Sequence, residues 1–216
     1  CTRRPEGRRL FRVQGRVPAP NRCTNVRQGG AAAPPDIAKG LLTGSPFADE
    51  RECRSMSAKK IKTNASRILD ELGVAYTLLT YAVDEDDLSG VHAAEALGLD
   101  PACVFKTLVA RGDRTGIVVA CIPVAAELDL KALARVSGNK SAELLPLKEL
   151  LPTTGYVRGG CSPVGMKKRF PTFIDDSAEP LPRIAVSAGA RGVQFFLKPA
   201  DLAGAVNSIF APLTLK

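Results

Sequence analysis

Histidine and aromatic residues are scarce in this chain of 216 residues: His92 is the only histidine, tryptophan is absent, and aromatic residues make up 5%. So few aromatic side chains argue against a nucleic-acid surface built on base stacking. A single histidine and the lack of any Cys-x-x-Cys pair argue against a zinc site. Apolar runs fall well short of the roughly 18 residues of a membrane span, so we do not expect an integral membrane protein.

Cysteine pairs at short spacing are also missing, because the six cysteines are scattered singly along the chain. Three precede residue 55, and the others are Cys103, Cys121 and Cys161. This pattern is typical of reduced thiols in the cytoplasm. A secretory signal needs an apolar stretch of about 7–15 residues near the N-terminus, and the sequence has none there. We therefore expect a cytoplasmic protein.

Positive charge is concentrated in residues 1–55, which hold eleven Lys and Arg against five Asp and Glu. Residues 56–216 hold nineteen against seventeen, a net charge of +2. The first part also has six Gly and six Pro and no sustained apolar period, which is typical of disorder. We predict that residues 1–55 are a disordered leader or upstream extension, with the first methionine, Met56, as the natural start. An organellar targeting peptide is the alternative, although such peptides are poor in acidic residues.

Residues 56–216 are predicted to form one α+β domain. Apolar periodicity and capping residues predict helices over 63–72, 89–97, 129–136 and 199–210. Runs of β-forming residues predict strands over 74–81, 155–157, 172–174, 184–186 and 193–197, and a hairpin of 104–110 with 117–122. Because helices interrupt the more numerous strands irregularly, the pattern favours a curved mixed sheet with flanking helices over a doubly wound parallel sheet.

Lys106 is the first candidate functional residue, because it lies in the middle of an apolar predicted strand. Side chains alternate across a strand, so Lys106 shares a face with Val104 and Leu108. Burying an ammonium there is costly unless it meets an anion or a polar cleft. The alternative is an edge-strand lysine that faces water and prevents edge-to-edge pairing.

Two glycine-bearing segments are further candidates. Residues 159–169 have the sequence GGCSPVGMKKR, in which glycines let backbone amides approach a ligand and the three cations form a rim. Such a loop could hold a carboxyl or phosphate group, and the alternative is a flexible turn followed by solvated charges. Residues 187–192, SAGARG, end a predicted strand, where Ser187 could contact a substrate or simply belong to the turn. Neither His92 nor Cys161 has a partner that would make it a nucleophilic pair.

Four stretches together resemble the YbaK/EbsC family, and in particular its Cys-tRNA(Pro) deacylase branch: 105–108 (FKTL), 128–131 (LDLK), 159–169 and 187–192. The resemblance covers about residues 60–210, in order and at the expected spacing, and the glycine run is its specific part. It implies a barrel-like mixed sheet with flanking helices, of the type associated with prolyl-tRNA synthetase. It also implies a free-standing editing enzyme without metal or cofactor. Its partners would be mischarged tRNA, through the 3′ aminoacyl end, and prolyl-tRNA synthetase.

The resemblance also implies roles for individual residues. Lys106 and Gly160 would be catalytic. Substrate-binding roles would fall to Tyr81, Thr107, Gly159, Cys161, Ser162, Pro163, Ser187 and Arg191. Where the branch commonly has an acidic residue after the Arg-Gly turn, this chain has Gln194.

The chemistry expected of such a site needs no nucleophile from the protein, because a cysteinyl ester carries its own thiol. Positioning that thiol against its ester carbonyl, with amide donors for the oxyanion, would release the tRNA. Two alternatives remain open at this point: a non-catalytic module that binds aminoacyl or nucleotide ends, and editing of Ala-tRNA(Pro) by an activated water. A net charge of +2 is small for autonomous tRNA binding, so we expect a synthetase partner or little tRNA selectivity.

Overall fold

The computed structural model describes residues 62–215. The predicted leader and its boundary at residues 55 and 56 lie outside the described residues. Within residues 62–215 the chain forms one eight-stranded mixed sheet and five α-helices, which confirms the predicted α+β class. These helices have at most eight residues each, too few to cross a lipid bilayer.

The structure has the four predicted helices and a fifth, over Leu147–Thr154, which was not predicted. They are α1 (Asn64–Glu71), α2 (Gly90–Leu97), α3 (Leu130–Val136), α4 (Leu147–Thr154) and α5 (Pro199–Val206). The side chains of Thr63, Ser89 and Asp129 accept hydrogen bonds from the first-turn amides of α1, α2 and α3. Gly98 ends α2 with φ at 64°, a left-handed conformation that suits glycine.

The strands are β1 (Tyr76–Thr80), β2 (Val104–Gly112), β3 (Gly116–Pro123), β4 (Ala142–Leu144), β5 (Thr172–Asp175), β6 (Ile184–Ser187), β7 (Val193–Leu197) and β8 (Ile209–Ala211). The predicted hairpin is confirmed as β2 and β3. The predicted strand over 155–157 is wrong, since these residues are in a loop, and β4 was not predicted. The last helix was predicted too long. It ends at Val206, because Asn207 turns the chain with φ at 52° and β8 then pairs with β5.

The sheet has the order β1-β7-β6-β2-β3-β5-β8, and β4 pairs with β2 beside this path. The terminal strands β1 and β8 do not pair with each other within residues 62–215, so the sheet stays open. The expected mixed sheet with flanking helices is therefore confirmed, and within residues 62–215 it is not a closed barrel.

The pairing of β2 is interrupted on one side. On the other side it pairs with β3 along its whole length. On the interrupted side it pairs with β6 only at Val104 and Phe105, and with β4 only from Ala110 to Gly112. Thr107 pairs with Cys121 of β3, and on the side of the resulting gap it pairs with no residue of β4 or β6. β2 is thus an inner strand with a local opening, so the alternative that Lys106 guards a sheet edge is wrong.

The two faces of the sheet are covered differently. One face carries Phe105, Val186 and Phe195, which are buried in the largest apolar cluster with residues from α1 and α5. The opposite face carries Val104 and Ala185, which pack with Ala94 of α2 and with Val124. Because α2 covers only part of this second face, the sheet beyond it forms the floor of a cavity.

Candidate active site

A cavity of about 430 Å³ opens on the second face of the sheet, next to α2. Its floor comes from β2, β6 and β7, and its walls from the start of α2, the first residues of the glycine run, and the segment 144–150. This volume suits a small organic group such as an aminoacyl ester with part of a ribose. No Asp or Glu is among the described residues that line it.

Three polar side chains form a row across the floor. Ser187 pairs directly with Gln194 on the neighbouring strand. Lys106 lies one residue beyond the last β2–β6 pair, Phe105 with Val186, so it is level with Ser187. Residues level on adjacent strands point to the same face and lie about 4.8 Å apart. The fold therefore brings together Lys106, Ser187 and Gln194, which all line the cavity.

Lys106 is tethered at the floor of this cavity. Its Nζ donates a hydrogen bond of 3.0 Å to the carbonyl oxygen of Val124. Burial lowers the pKa of Lys106 below its ordinary value, while the negative charge of Glu127 opposes this shift. A partly desolvated, fixed ammonium stabilises negative charge that develops beside it more strongly than one in water.

The first half of the glycine run forms one wall. Gly159, with φ at 81°, and Cys161 line the cavity. Gly160 is packed so closely that a Cβ on it would lie 3.2 Å from the backbone of Ala190 and Arg191. Its amide donates to the carbonyl of Val157 at 3.1 Å. Gly160 thus packs this wall against the β6–β7 turn. Its N–H already donates a hydrogen bond within the protein and is not free to bind a ligand.

The second half of the run turns away from the cavity. Ser162 is fully buried, and its hydroxyl accepts a hydrogen bond from the Val164 amide. Pro163 lines a separate cavity of about 280 Å³, together with Lys168 and Arg169. The predicted cationic rim therefore does not border the site, and Ser162 and Pro163 are not among the residues that line it.

Tyr156, which the sequence analysis missed, joins the two glycine-bearing segments. It is buried, and its hydroxyl donates to the carbonyl of Val164 at 2.6 Å. A Cβ on Gly165 would lie 3.1 Å from the Tyr156 hydroxyl oxygen, and a Cβ on Gly189 would lie 2.8 Å from the Tyr156 ring. Burial raises the pKa of Tyr156 to about 12, so it stays a hydrogen-bond donor. The signal in the sequence was a tyrosine between glycines, which alone is too common to interpret.

Arg191 links the loops at the mouth of the cavity. Its Nε donates to the carbonyl of Arg158 at 3.0 Å, and its Nη1 forms a 2.6 Å ion pair with Glu85. Tyr81, a lining residue, is held nearby by its amide, which donates to the Gly192 carbonyl. The guanidinium of Arg191 is thus occupied by protein groups, whereas Tyr81 and Thr107 are both placed at the cavity.

The thiols near the site are poor nucleophiles. Burial raises the pKa of Cys121 and of Cys161 to about 12, and it also raises the pKa of Cys103. At pH 7 a thiol with so high a pKa is almost never ionised. His92 is not among the lining residues, and residues 62–215 contain no cluster of three metal-binding side chains.

Comparisons with known proteins agree with this arrangement. Residues 88–205 match the family model described as "Aminoacyl-tRNA editing domain". A protein of Enterococcus faecalis named "Putative Cys-tRNA(Pro)/Cys-tRNA(Cys) deacylase EbsC" is 50% identical over 163 residues, which are 74% of this chain and 99% of that protein. The "Uncharacterized protein YwhH" of Bacillus subtilis is 26% identical over 147 residues, 68% of this chain and 89% of that protein. The solved structure of "a putative trans-editing enzyme for prolyl tRNA synthetase" has the same fold, with a TM-score of 0.63 at 22% identity over 72% of this chain and 99% of that one.

Proposed function

Because the chain belongs to the aminoacyl-tRNA editing domain family, also called YbaK/EbsC, we propose that it is a trans-editing deacylase that removes cysteine from mischarged Cys-tRNA(Pro). The observation that carries this proposal is a cavity with a fixed cation and backbone amides but without an activated nucleophile among its described lining residues. Such a site suits a substrate that brings its own nucleophile.

The reaction uses the thiol of the bound aminoacyl group. With a pKa near 8.5, a few per cent of such thiols are ionised at neutral pH. The thiolate sulfur attacks the ester carbonyl carbon, the new C–S bond forms, and the C–O bond to the ribose breaks. The bonding electron pair leaves with the ribose oxygen, which takes a proton from solvent. Water then hydrolyses the cyclic thioester to free cysteine.

The protein's part is to position the ester and stabilise the oxyanion. Lys106 supplies a fixed positive charge at the cavity floor. Gly159, Cys161 and Thr107 line the same cavity, and the amides of Gly159 and Cys161 make no hydrogen bond within residues 62–215. Gly160 keeps the wall close to the β6–β7 turn, and Tyr81 and Ser187 contact the aminoacyl end.

Single-turnover deacylation of cysteinyl, seryl and alanyl esters on the same tRNA(Pro) tests this function. We expect rapid cleavage of the cysteinyl ester only, because a hydroxyl is almost never ionised near pH 7 and a methyl group cannot attack. Serine closely matches cysteine in shape, so exclusion by size would not produce this result. Equal rates for all three would favour a water activated near Lys106, and binding without turnover would favour a non-catalytic module.

The proposed partner is mischarged tRNA, and the proposed location of the protein is the cytoplasm. Residues 56–216 carry a net charge of only +2, which limits binding to the tRNA backbone. Prolyl-tRNA synthetase is therefore a candidate for selecting tRNA(Pro). Adding it should lower the KM for Cys-tRNA(Pro) and leave the rate at saturation unchanged.

A further inference from the structure

Gln194 is a polar residue whose side chain is buried but has no hydrogen-bond partner within residues 62–215. It is 7% exposed and lines the cavity. Its Oε1 is buried with no hydrogen-bond partner, and Nε2 makes no hydrogen bond within residues 62–215 either. Such a group destabilises a fold unless something else compensates. Because the terminal torsion of a glutamine is soft, an amide without protein partners can present its oxygen to the cavity at little cost.

Among the described residues that line the cavity, only Gln194 has a side-chain carbonyl oxygen, whereas the hydroxyls of Tyr81, Ser89, Thr107 and Ser187 can both donate and accept. Lys106 and the wall amides are donors, and the carbonyl of Val124 already accepts from Lys106. The lining residues include no carboxylate. An aminoacyl ester needs donors at its carbonyl, but its α-amino group needs an acceptor. Among the lining side chains the amide of Gln194 is suited to this need, since amide oxygens accept and cannot ionise.

We propose that Gln194 binds the α-amino group of the aminoacyl ester through its side-chain oxygen. This inference rests on the proposed function and names the residue that distinguishes an amino acid from other acyl groups. Gln194 and Lys106 are two strands apart with Ser187 between them, about 10 Å at the backbone. Both side chains line the same cavity, with the Lys106 Nζ held at the Val124 carbonyl. In the ester the carbonyl carbon and the amino nitrogen are only two bonds apart, so one bound group can reach both.

A pair of esters isolates this contact. Cys-tRNA(Pro) is compared with tRNA(Pro) carrying 3-mercaptopropionate, which has the same thiol and ester but no amino group. Gln194→Met, close to glutamine in shape, removes the acceptor, and Gln194→Leu is a second variant. We expect each variant to slow cleavage of the cysteinyl ester roughly five- to tenfold, the loss of one hydrogen bond. Cleavage of the 3-mercaptopropionyl ester should stay within about twofold of wild type.

Stability separates this role from a purely structural one. Removing an unpaired buried polar group should leave the melting temperature of both Gln194 variants unchanged or raised. Ser208→Ala is the matched control, because the Ser208 hydroxyl is also buried without a partner but does not line the cavity. It should leave the cleavage of both esters unchanged.

The outcomes are distinct. If wild-type protein accelerates neither ester, the proposed function fails. If wild type cleaves both and the Gln194 variants slow the two esters equally or not at all, the proposed function stands and this inference is overturned.

Discussion

Two buried side-chain amides, one in the loop before β4 and one in β7, have opposite environments. Asn139 and Gln194 are 8% and 7% exposed, so burial does not distinguish them. The Asn139 oxygen accepts from the amides of Arg114 and Thr115, each at 2.9 Å. Its nitrogen donates to the hydroxyls of Thr115 and Ser137 at 2.7 and 2.8 Å. The side-chain oxygen of Gln194 has no hydrogen-bond partner among the described residues.

The difference separates a structural amide from one available to a ligand. Asn139 fixes the β2–β3 hairpin turn and packs so tightly that a Cβ on Gly112 would lie 2.3 Å from it. A polar group with all its partners in the protein stabilises the fold and has nothing left to offer a substrate. The cavity shows the reverse, with a Gln194 side-chain amide that has no partner in the described residues. The amide that stabilises the hairpin turn and the amide available to a ligand are thus in different parts of the molecule.

The largest effect should come from the cavity end. Lys106→Ala removes the fixed cation and should slow deacylation of Cys-tRNA(Pro) at least about 100-fold, the usual loss for one oxyanion donor. The melting temperature should change little, because the side chain faces a cleft. Lys131→Ala, at an exposed position of α3, is the control. Unchanged turnover in Lys106→Ala would remove this residue from the site.

The pH profile sharpens the assignment of Lys106. Because burial lowers its pKa, it loses its proton at lower pH than an ordinary lysine. The reaction needs the charged form, so the single-turnover rate should fall as pH rises through this pKa, about tenfold per unit. On the acid side the rate should rise with ionisation of the substrate thiol. Lys106→Arg, charged throughout this range, should abolish the alkaline decrease. Wild type without that decrease would contradict a role for the ammonium.

At the hairpin end we expect an effect on stability and not on rate. Asn139→Ala leaves the Arg114 and Thr115 amides without their partner and should lower the free energy of unfolding by about 2 kcal/mol. For a domain of this size that is a decrease of roughly 4–8 °C in melting temperature. Single-turnover deacylation well below that temperature should be unaffected. A slowed reaction would mean that the two ends are coupled.

The smallest effect is expected from the protein's own thiols. Replacing Cys103, Cys121 and Cys161 together by alanine should keep the rate within about threefold of wild type, since their raised pKa values leave almost no thiolate. Cys121 is fully buried, so some loss of stability from packing is expected. Complete loss of activity in a folded triple variant would identify an enzyme nucleophile.

Local signals predicted the local parts of this structure well. The hairpin, the caps at Ser89 and Gly98 and most strands follow from residues close in sequence. The errors involve pairing between distant segments. The strand β8 was predicted as helix, because its partner β5 lies more than thirty residues away in the chain. The site was likewise predicted in part. Lys106 and Ser187 were candidates, but only sheet register aligns Gln194 with them, and only the loop's path turns Ser162 and Pro163 away.

The pairing of β1 with β7 also determines when activity can arise during synthesis. Thr80 lies opposite Val193, and Gln194 and Ser187 reach the floor only after β6 and β7 have formed. When the ribosome has synthesised β1, α2 and the hairpin but not yet β6 and β7, the cavity is therefore still incomplete. Translation adds about 5–20 residues per second, so several seconds pass between the synthesis of β1 and the synthesis of its partner β7. A nascent chain in this interval cannot deacylate the charged tRNAs that crowd around the ribosome.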